Sequence, residues 1–223
     1  MNNQTFNLNI VFFILYMSLN TLCFSKSILI SMDADSQKNH LKAYGIAYWV
    51  LDNELEVEWL LNYKGGSFLI KNIEEIKLEC TYRGVSFEIL SNHDIESIYK
   101  FIASPSNNTD VIKLEKAPKI AVYSPKNKQP WDDAVTLALT YSEIPYDIIY
   151  DDEILNDLLP IYDWLHLHHE DFTGQYGKFY RSFKNASWYV EQKKIFENDA
   201  KKNGFNKVSK QKLEVVQKIK EYV

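Results

Sequence analysis

The 223-residue chain is 46% hydrophobic and 25% charged, the make-up of ordinary globular material rather than of a disordered or fibrous protein. Its formal charge of −5 argues against nucleic acid as the main partner, because a surface that binds the phosphate backbone has to be basic. A chain of 223 residues holds either one large domain or two small ones.

Residues 10–24, IVFFILYMSLNTLCF, are almost wholly apolar, and no charged side chain precedes Lys26. A membrane span needs about 20 such residues, so this run matches the core of a signal peptide instead. Small residues at Cys23 and Ser25 predict cleavage after Ser25 and an exported protein, periplasmic or extracellular, with no stable membrane insertion once the signal is removed. The usual basic start is missing, which keeps an uncleaved N-terminal anchor as the alternative. With Cys23 gone, Cys80 stands alone and cannot form an internal disulfide. It continues the apolar pattern Ile73, Ile76, Leu78, Cys80, the mark of a buried structural thiol.

Beyond the signal, short apolar strands alternate with amphipathic helices. A strand over 28–32 ends at Asp33. A helix over 36–53 sets Leu41, Tyr44, Ala47, Tyr48 and Leu51 on one face. Next come a strand over 57–61, a turn at Gly65-Gly66 and a short extension over 68–70. A helix over 73–82 stops at Gly84, suited to a left-handed cap. A strand over 85–90 and a helix over 94–103 lead into the polar, turn-rich SPSNNTD of residues 104–110.

The second half restarts with a strand over 120–123 and a helix over 130–141, its Asp132 and Asp133 placed to favour the N-terminal dipole. A strand over 146–150, a short helix from Asp152 and a strand over 161–167 follow. Helices over 188–202 and 209–222 finish the chain, parted by Asn203-Gly204. The Lys-rich stretch 193–220 interleaves acids and reads as a solvated helical face. The order strand, helix, strand predicts parallel pairing through right-handed crossovers. The expected fold is therefore α/β: parallel sheets flanked by helices, arranged as two Rossmann- or flavodoxin-like repeats. The expected organisation is a signal at 1–25, a first repeat at 26–104, a linker at 105–118 and a second repeat at 119–223, which ends on a helix and is open to being truncated.

The richest stretch for chemistry is 163–180, DWLHLHHEDFTGQYGKFY, which holds three of the chain's 5 histidines and directly follows a buried strand. In open α/β sheets, ligands bind outside the carboxyl ends of the strands. His166, His168, His169 and Glu170 are the candidates for acid–base work there, and Asp171, Gln175 and Lys178 for holding a ligand. Asp33, Gly65, Gly66 and Ser124 sit at the ends of other strands and are candidates for the same ligand-binding role. For each, a structural role competes: hydrogen-bonded histidines, aromatic loop packing, and glycines serving a tight turn. His166, His168 and His169 also pose the question of a metal, but no HExxH or CxxC accompanies them. Neither GxGxxG nor a Walker pattern occurs, and no cofactor is expected. GxSxG and GxCxG are absent too, so no nucleophile completes a Ser/His or Cys/His mechanism. The expected partner is a small polar ligand.

At ILISMD, NHLKAYGIAYWVL, WLLNYKGGSFLI, KLEKAPKIAVYSP, PWDDAVTLALTYSEIPYD and YDWLHLHHEDFTGQYGKFY, the chain resembles a bacterial exported family labelled asparagine synthetase B. The resemblance covers nearly all of the mature chain and implies that it is the N-terminal half of a longer protein. The C-terminal half would continue into a strand and a Cys-Ser-Gly turn similar to the nucleophile elbow of class I glutamine amidotransferases. Amide or acyl hydrolysis is the activity this implies for the longer protein. ATP-dependent asparagine synthesis is not supported by the residues: the mature start near Lys26 is not a cysteine, and Gly65-Gly66-Ser67 lacks the Asp-Ser of an SGGxDS loop. Two other readings stand beside it, a non-catalytic small-molecule or sugar-binding module and a metal-dependent hydrolase built on HLHHED.

Overall fold

The computed structural model describes residues 27–125, 133–167 and 182–223. The expected signal at 1–25 lies outside them, and among the described residues no helix is long and apolar enough to cross a membrane. The fold is mixed α/β, with seven helices and two sheets among the described residues, one of them parallel. The chain divides into two compact units, Met1–Lys116 and Ala117–Val223.

In the first unit, β1 (Ser27–Ile30), β2 (Val57–Leu61), β3 (Ser67–Lys71), β4 (Glu88–Leu90) and β5 (Asp110–Leu114) form one sheet in the order β4-β1-β3-β2-β5. Three helices accompany it: α1 (His40–Asp52), α2 (Glu74–Arg83) and α3 (Asn92–Ile102). Leu29, Leu60, Leu69 and Leu90 bury one face of the sheet against Ile98 and Ile102 of α3. The pleat turns alternate residues to the other face, where Tyr44 of α1 meets Phe68 edge-on at 5.6 Å between ring centroids. Ser91 caps α3 through a reciprocal pair with Asp94, which satisfies two N–H groups the helix cannot bond itself.

Every pairing in this sheet is antiparallel, which corrects the expectation of parallel pairing: the first half is not a Rossmann-like repeat. The cause is local. Only five residues, 62–66, join β2 to β3, whereas a parallel crossover takes a dozen or more, so the two strands must form a hairpin. β3 is then no short extension but a buried inner strand, hydrogen-bonded to β1 on one side and β2 on the other. Residues 110–114, expected within a linker, supply the edge strand β5 through its ladder with β2.

The hairpin turn explains its own sequence. Asn62, Lys64, Gly65 and Gly66 all take positive φ, and the Lys64 carbonyl accepts the Met32 N–H at 2.9 Å. A Cβ on Gly65 would lie 2.5 Å from the Met32 carbonyl oxygen, closer than any real contact. Trp59 closes the loop by donating its Nε1–H to the Gly66 carbonyl at 3.0 Å.

In the second unit, β6 (Ile120–Tyr123), β7 (Asp147–Ile149) and β8 (Trp164–Leu167) pair in parallel in the order β7-β6-β8, as expected of strand–helix–strand units. The helices are α4 (Ala134–Ser142), α5 (Asp151–Leu155), α6 (Ser187–Lys202) and α7 (Val208–Tyr222). Ala121, Tyr123 and Ile149 face Ile154 of α5 and Val215 and Ile219 of α7 in one core cluster. Phe196, Ala200 and Val208 join α6 to α7 in a second. Ile120, Val122 and His166 alternate to the opposite face, on which α4 starts.

Substituting Gly65→Ala should destabilise the protein by about 3 kcal/mol or more, combining positive φ with a backbone clash. Gly204→Ala, also at positive φ but with no atom within 4 Å of its Cβ, should cost only about 1 kcal/mol. Urea unfolding midpoints of the two variants measure the difference.

Candidate functional site

The connections of the second unit diverge at its central strand. The chain leaves β6 for β7 on one side and then crosses to β8 on the other. In parallel sheets the carboxyl ends of the strands at such a divergence are where ligands characteristically bind, and here that point falls between β6 and β8. His166 stands on β8 opposite Val122. Ser124, two residues beyond Val122, is buried and donates its backbone N–H to the Ile149 carbonyl at 3.0 Å.

Asp133 closes the group from above. As N-cap of α4 it accepts the Thr136 backbone N–H on Oδ1 at 2.9 Å. Its Oδ2 lies 2.9 Å from His166 Nε2. A carboxylate can only accept, so the ring nitrogen facing it carries a proton, and in the neutral ring Nδ1 keeps its lone pair. Nδ1 makes no hydrogen bond among the described residues. Burial works to raise the Asp133 carboxyl, but the bonds from His166 and Thr136 outweigh it and hold the group below its ordinary 3.8. Trp164, 41% exposed, stands one pleat from His166, with ring centroids 6.4 Å apart. The arrangement is an imidazole fixed in tautomer and direction by a buried carboxylate, which is what a general base requires.

The other candidates fall into three groups. His168, His169, Glu170, Asp171, Gln175 and Lys178 lie outside the described residues. Among the described residues no group of three His, Cys, Asp or Glu side chains gathers as metal ligands would. Asp33, Gly65 and Gly66 belong to the first unit. There Asp33 accepts the Ser36 N–H at 2.9 Å and is held below its ordinary 3.8, chiefly by the Ser36 side chain, while the two glycines form the hairpin turn. Cys80 is wholly buried in the same unit, and burial pushes its thiol up to about 11. It is inert as a nucleophile near neutral pH.

The opposite face of the parallel sheet holds polar groups that sequence reasoning missed. Lys212 of α7, 6% exposed, donates to Asp151 Oδ1, Tyr123 Oη and Tyr150 Oη, each at 2.8 Å. Tyr123 donates to the same Asp151 oxygen at 2.6 Å, and Gln211 Nε2 donates to the other at 2.6 Å. Lys212 reads in sequence as one more lysine of a solvated helix. Its spacing from Val208, Val215 and Ile219 on the buried stripe of α7 is the one signal that marks it. Asp133 was legible only as a helix-dipole residue, because its partner lies 33 positions away.

Two outcomes test these assignments. Lys212→Met leaves Asp151 as a buried charge without its counter-ion and should cost about 3–5 kcal/mol in urea unfolding. Asp133→Asn keeps a good helix cap and removes the charge. Because the folded carboxyl titrates below its ordinary value, its contribution is complete above pH 3.8 and is lost as pH falls through the folded value. Wild type should exceed Asp133→Asn in stability above that pH. The margin should shrink on further acidification, as read from unfolding midpoints across the pH series.

Compared with known protein families, characterised proteins and solved structures, the chain has no match, so the site is interpreted from its own geometry.

Proposed function

We propose that the second unit binds a small polar ligand with an amide or acyl carbonyl in the crevice between β6 and β8, and that His166 serves it as the acid–base group. The observation that carries this reading is the Asp133–His166 hydrogen bond of 2.9 Å at the carboxyl ends of parallel strands. With the proton on Nε2, Nδ1 is the position that takes a proton from an incoming nucleophile and returns it to a leaving group. The reading accords with the resemblance to the exported family labelled asparagine synthetase B and to class I glutamine amidotransferases. In such enzymes a histidine of this kind activates an elbow cysteine, and backbone amides stabilise the oxyanion. Among the described residues the only cysteine is Cys80, buried in the first unit. Hydrolysis is therefore proposed for a longer protein that brings its own nucleophile, and residues 1–223 alone act as the binding and base-carrying part. Export is part of the same proposal and rests on the apolar run 10–24.

A second reading draws on Trp164. Its exposed ring beside His166 offers a flat apolar face of the kind that packs against a sugar, which would make the crevice a carbohydrate-binding site without chemistry.

Nitrogen NMR of the His166 ring decides between these and neither. The Nε2–H tautomer should dominate in wild type, and Asp133→Asn should move the ring toward mixed tautomers. Titration with L-glutamine should shift the Nδ1 resonance while the purified chain shows no glutamine hydrolysis. A ring that responds to glucose or galactose and not to glutamine would select the sugar reading. Glutaminase turnover that survives His166→Ala would overturn the assignment of the base.

A further inference from the structure

An edge strand presents a row of backbone N–H and C=O groups that pair with another chain unless something blunts it. The edges of the two sheets are β4 and β5 in the first unit, β7 and β8 in the second. Three of them carry a common guard, an exposed charge: Glu88 in β4, Asp110 and Lys113 in β5, and Asp147 in β7. The fourth has none. β8 reads Trp164-Leu165-His166-Leu167, without an acid, a lysine, an arginine or a proline. It keeps regular register with β6 over all four residues, so no bulge turns it aside.

The direction of its backbone groups follows from the bonds around it. Trp164 donates its N–H to the Lys119 carbonyl at 3.3 Å, and on the far side of β6 Ser124 donates to the Ile149 carbonyl at 3.0 Å. Backbone groups point alternately to the two sides of a strand. Ala121 and Tyr123 of β6 therefore face β8, and Trp164 and His166 bond back to β6. Leu165 and Leu167 turn their N–H and C=O groups the other way, where β8 has no partner strand among the described residues. Their side chains pack against the core cluster of the second unit, which holds the strand extended. Trp164, 41% exposed, stands on the opposite face of the sheet.

A backbone edge is satisfied by another backbone, and its length selects the partner. The four residues of β8 span about 13 Å at ~3.3 Å each. Pairing with a second copy over that length stays far below the ~1,000 Å² that a stable dimer clears. A short extended peptide needs no more, because strand addition takes its affinity from main-chain bonds and its specificity from alternate side chains. With the chain at −5, a neutral or basic segment approaches without repulsion.

We propose that the outer edge of β8 binds an extended, neutral or basic peptide segment of a partner protein by β-strand addition. The segment exchanges main-chain hydrogen bonds with Leu165 and Leu167. Its side chains on the α4 face pack beside Trp164, where β-branched and aromatic residues pair best. The proposal needs nothing of the acid–base role of His166, and it uses the side of β8 that faces away from β6.

Amide hydrogen exchange of the full chain, read by NMR, tests this with the capped hexapeptide KTVTVK as probe. In the free chain the Leu165 and Leu167 amides should exchange at least about tenfold faster than that of His166, which is bonded to β6. Saturating KTVTVK should protect those two amides. The same peptide N-methylated at its central residues, and so without their donors, should bind at least about tenfold more weakly. Trp164→Lys, which gives β8 at an exposed position the guard that the other edges have, should weaken KTVTVK about fivefold. Equal binding of the two peptides, or no protection of Leu165 and Leu167 by KTVTVK, would overturn the proposal. So would amides already protected in the free chain: protection that rises with chain concentration assigns the edge to a second copy, and protection at every concentration assigns it to another segment of the same chain.

Discussion

The second unit is organised around the ion pair between Asp151 and Lys212. Both side chains are almost completely withdrawn from water, and such a pair is tolerated only when nearly every proton and lone pair finds a partner. Lys212 has three N–H groups and three oxygen acceptors around it, from Tyr123, Tyr150 and Asp151. Those acceptors come from the end of β6, the exit of β7 and the first residue of α5, and the lysine comes from α7. One cation therefore fixes the position of the last helix relative to two strands that precede it by more than 60 residues. The apolar packing of Val215 and Ile219 on Ala121 and Ile149 adds energy, but it is not directional and would tolerate a slide of α7. The polar cluster would not.

That cluster also shapes what stands beside it. Asp151 takes Gln211 Nε2 as its last donor, so the amide has one orientation, and its oxygen turns away from the saturated centre. An apolar pair in place of Asp151 and Lys212 would be no less stable in many settings, but it would leave Gln211 free to rotate. That oxygen has no hydrogen-bond partner, a product of the same interaction that locks α7. On the other face, Asp133 does the equivalent work for His166: one carboxylate caps α4 and sets a ring tautomer. The parallel sheet thus carries a polar cluster on each face, the Asp133–His166 pair and the Asp151–Lys212 centre.

Alternation of strand and helix was plain in the residues, and so was the direction of the strands it joins. β1 and β2 do run the same way, as a strand–helix–strand unit requires, but β3 is inserted between them and pairs antiparallel with each. The same holds for β3 and β4, with β1 between. Periodicity reports direction and burial of a segment, whereas neighbourhood is decided by a turn of five residues and by which strand reaches the gap first. Among the described residues the second half has no such hairpin, and there the sequence-level expectation and the sheet agree. His166 and Ser124 could be found because strand ends are recognisable. Asp133, Asp151 and Lys212 gain their meaning from partners 28 to 89 positions away, and no local pattern carries that information.

A hydrolytic centre of the triad kind needs a nucleophile, a base that faces it and a group that orients the base. Of these parts, the second unit holds a histidine hydrogen-bonded to a buried carboxylate. The one thiol among the described residues is wholly buried in the other unit, with its pKa driven up by lack of solvation, the reverse of the electropositive, partly exposed setting that makes cysteine reactive. A histidine directed by a buried carboxylate, with its second nitrogen uncommitted among the described residues, is costly to maintain for stability alone, since an apolar pair at the sheet edge would need no matching bonds. That geometry fixes the direction of the ring, and it is what the reading of His166 as an acid–base group rests on.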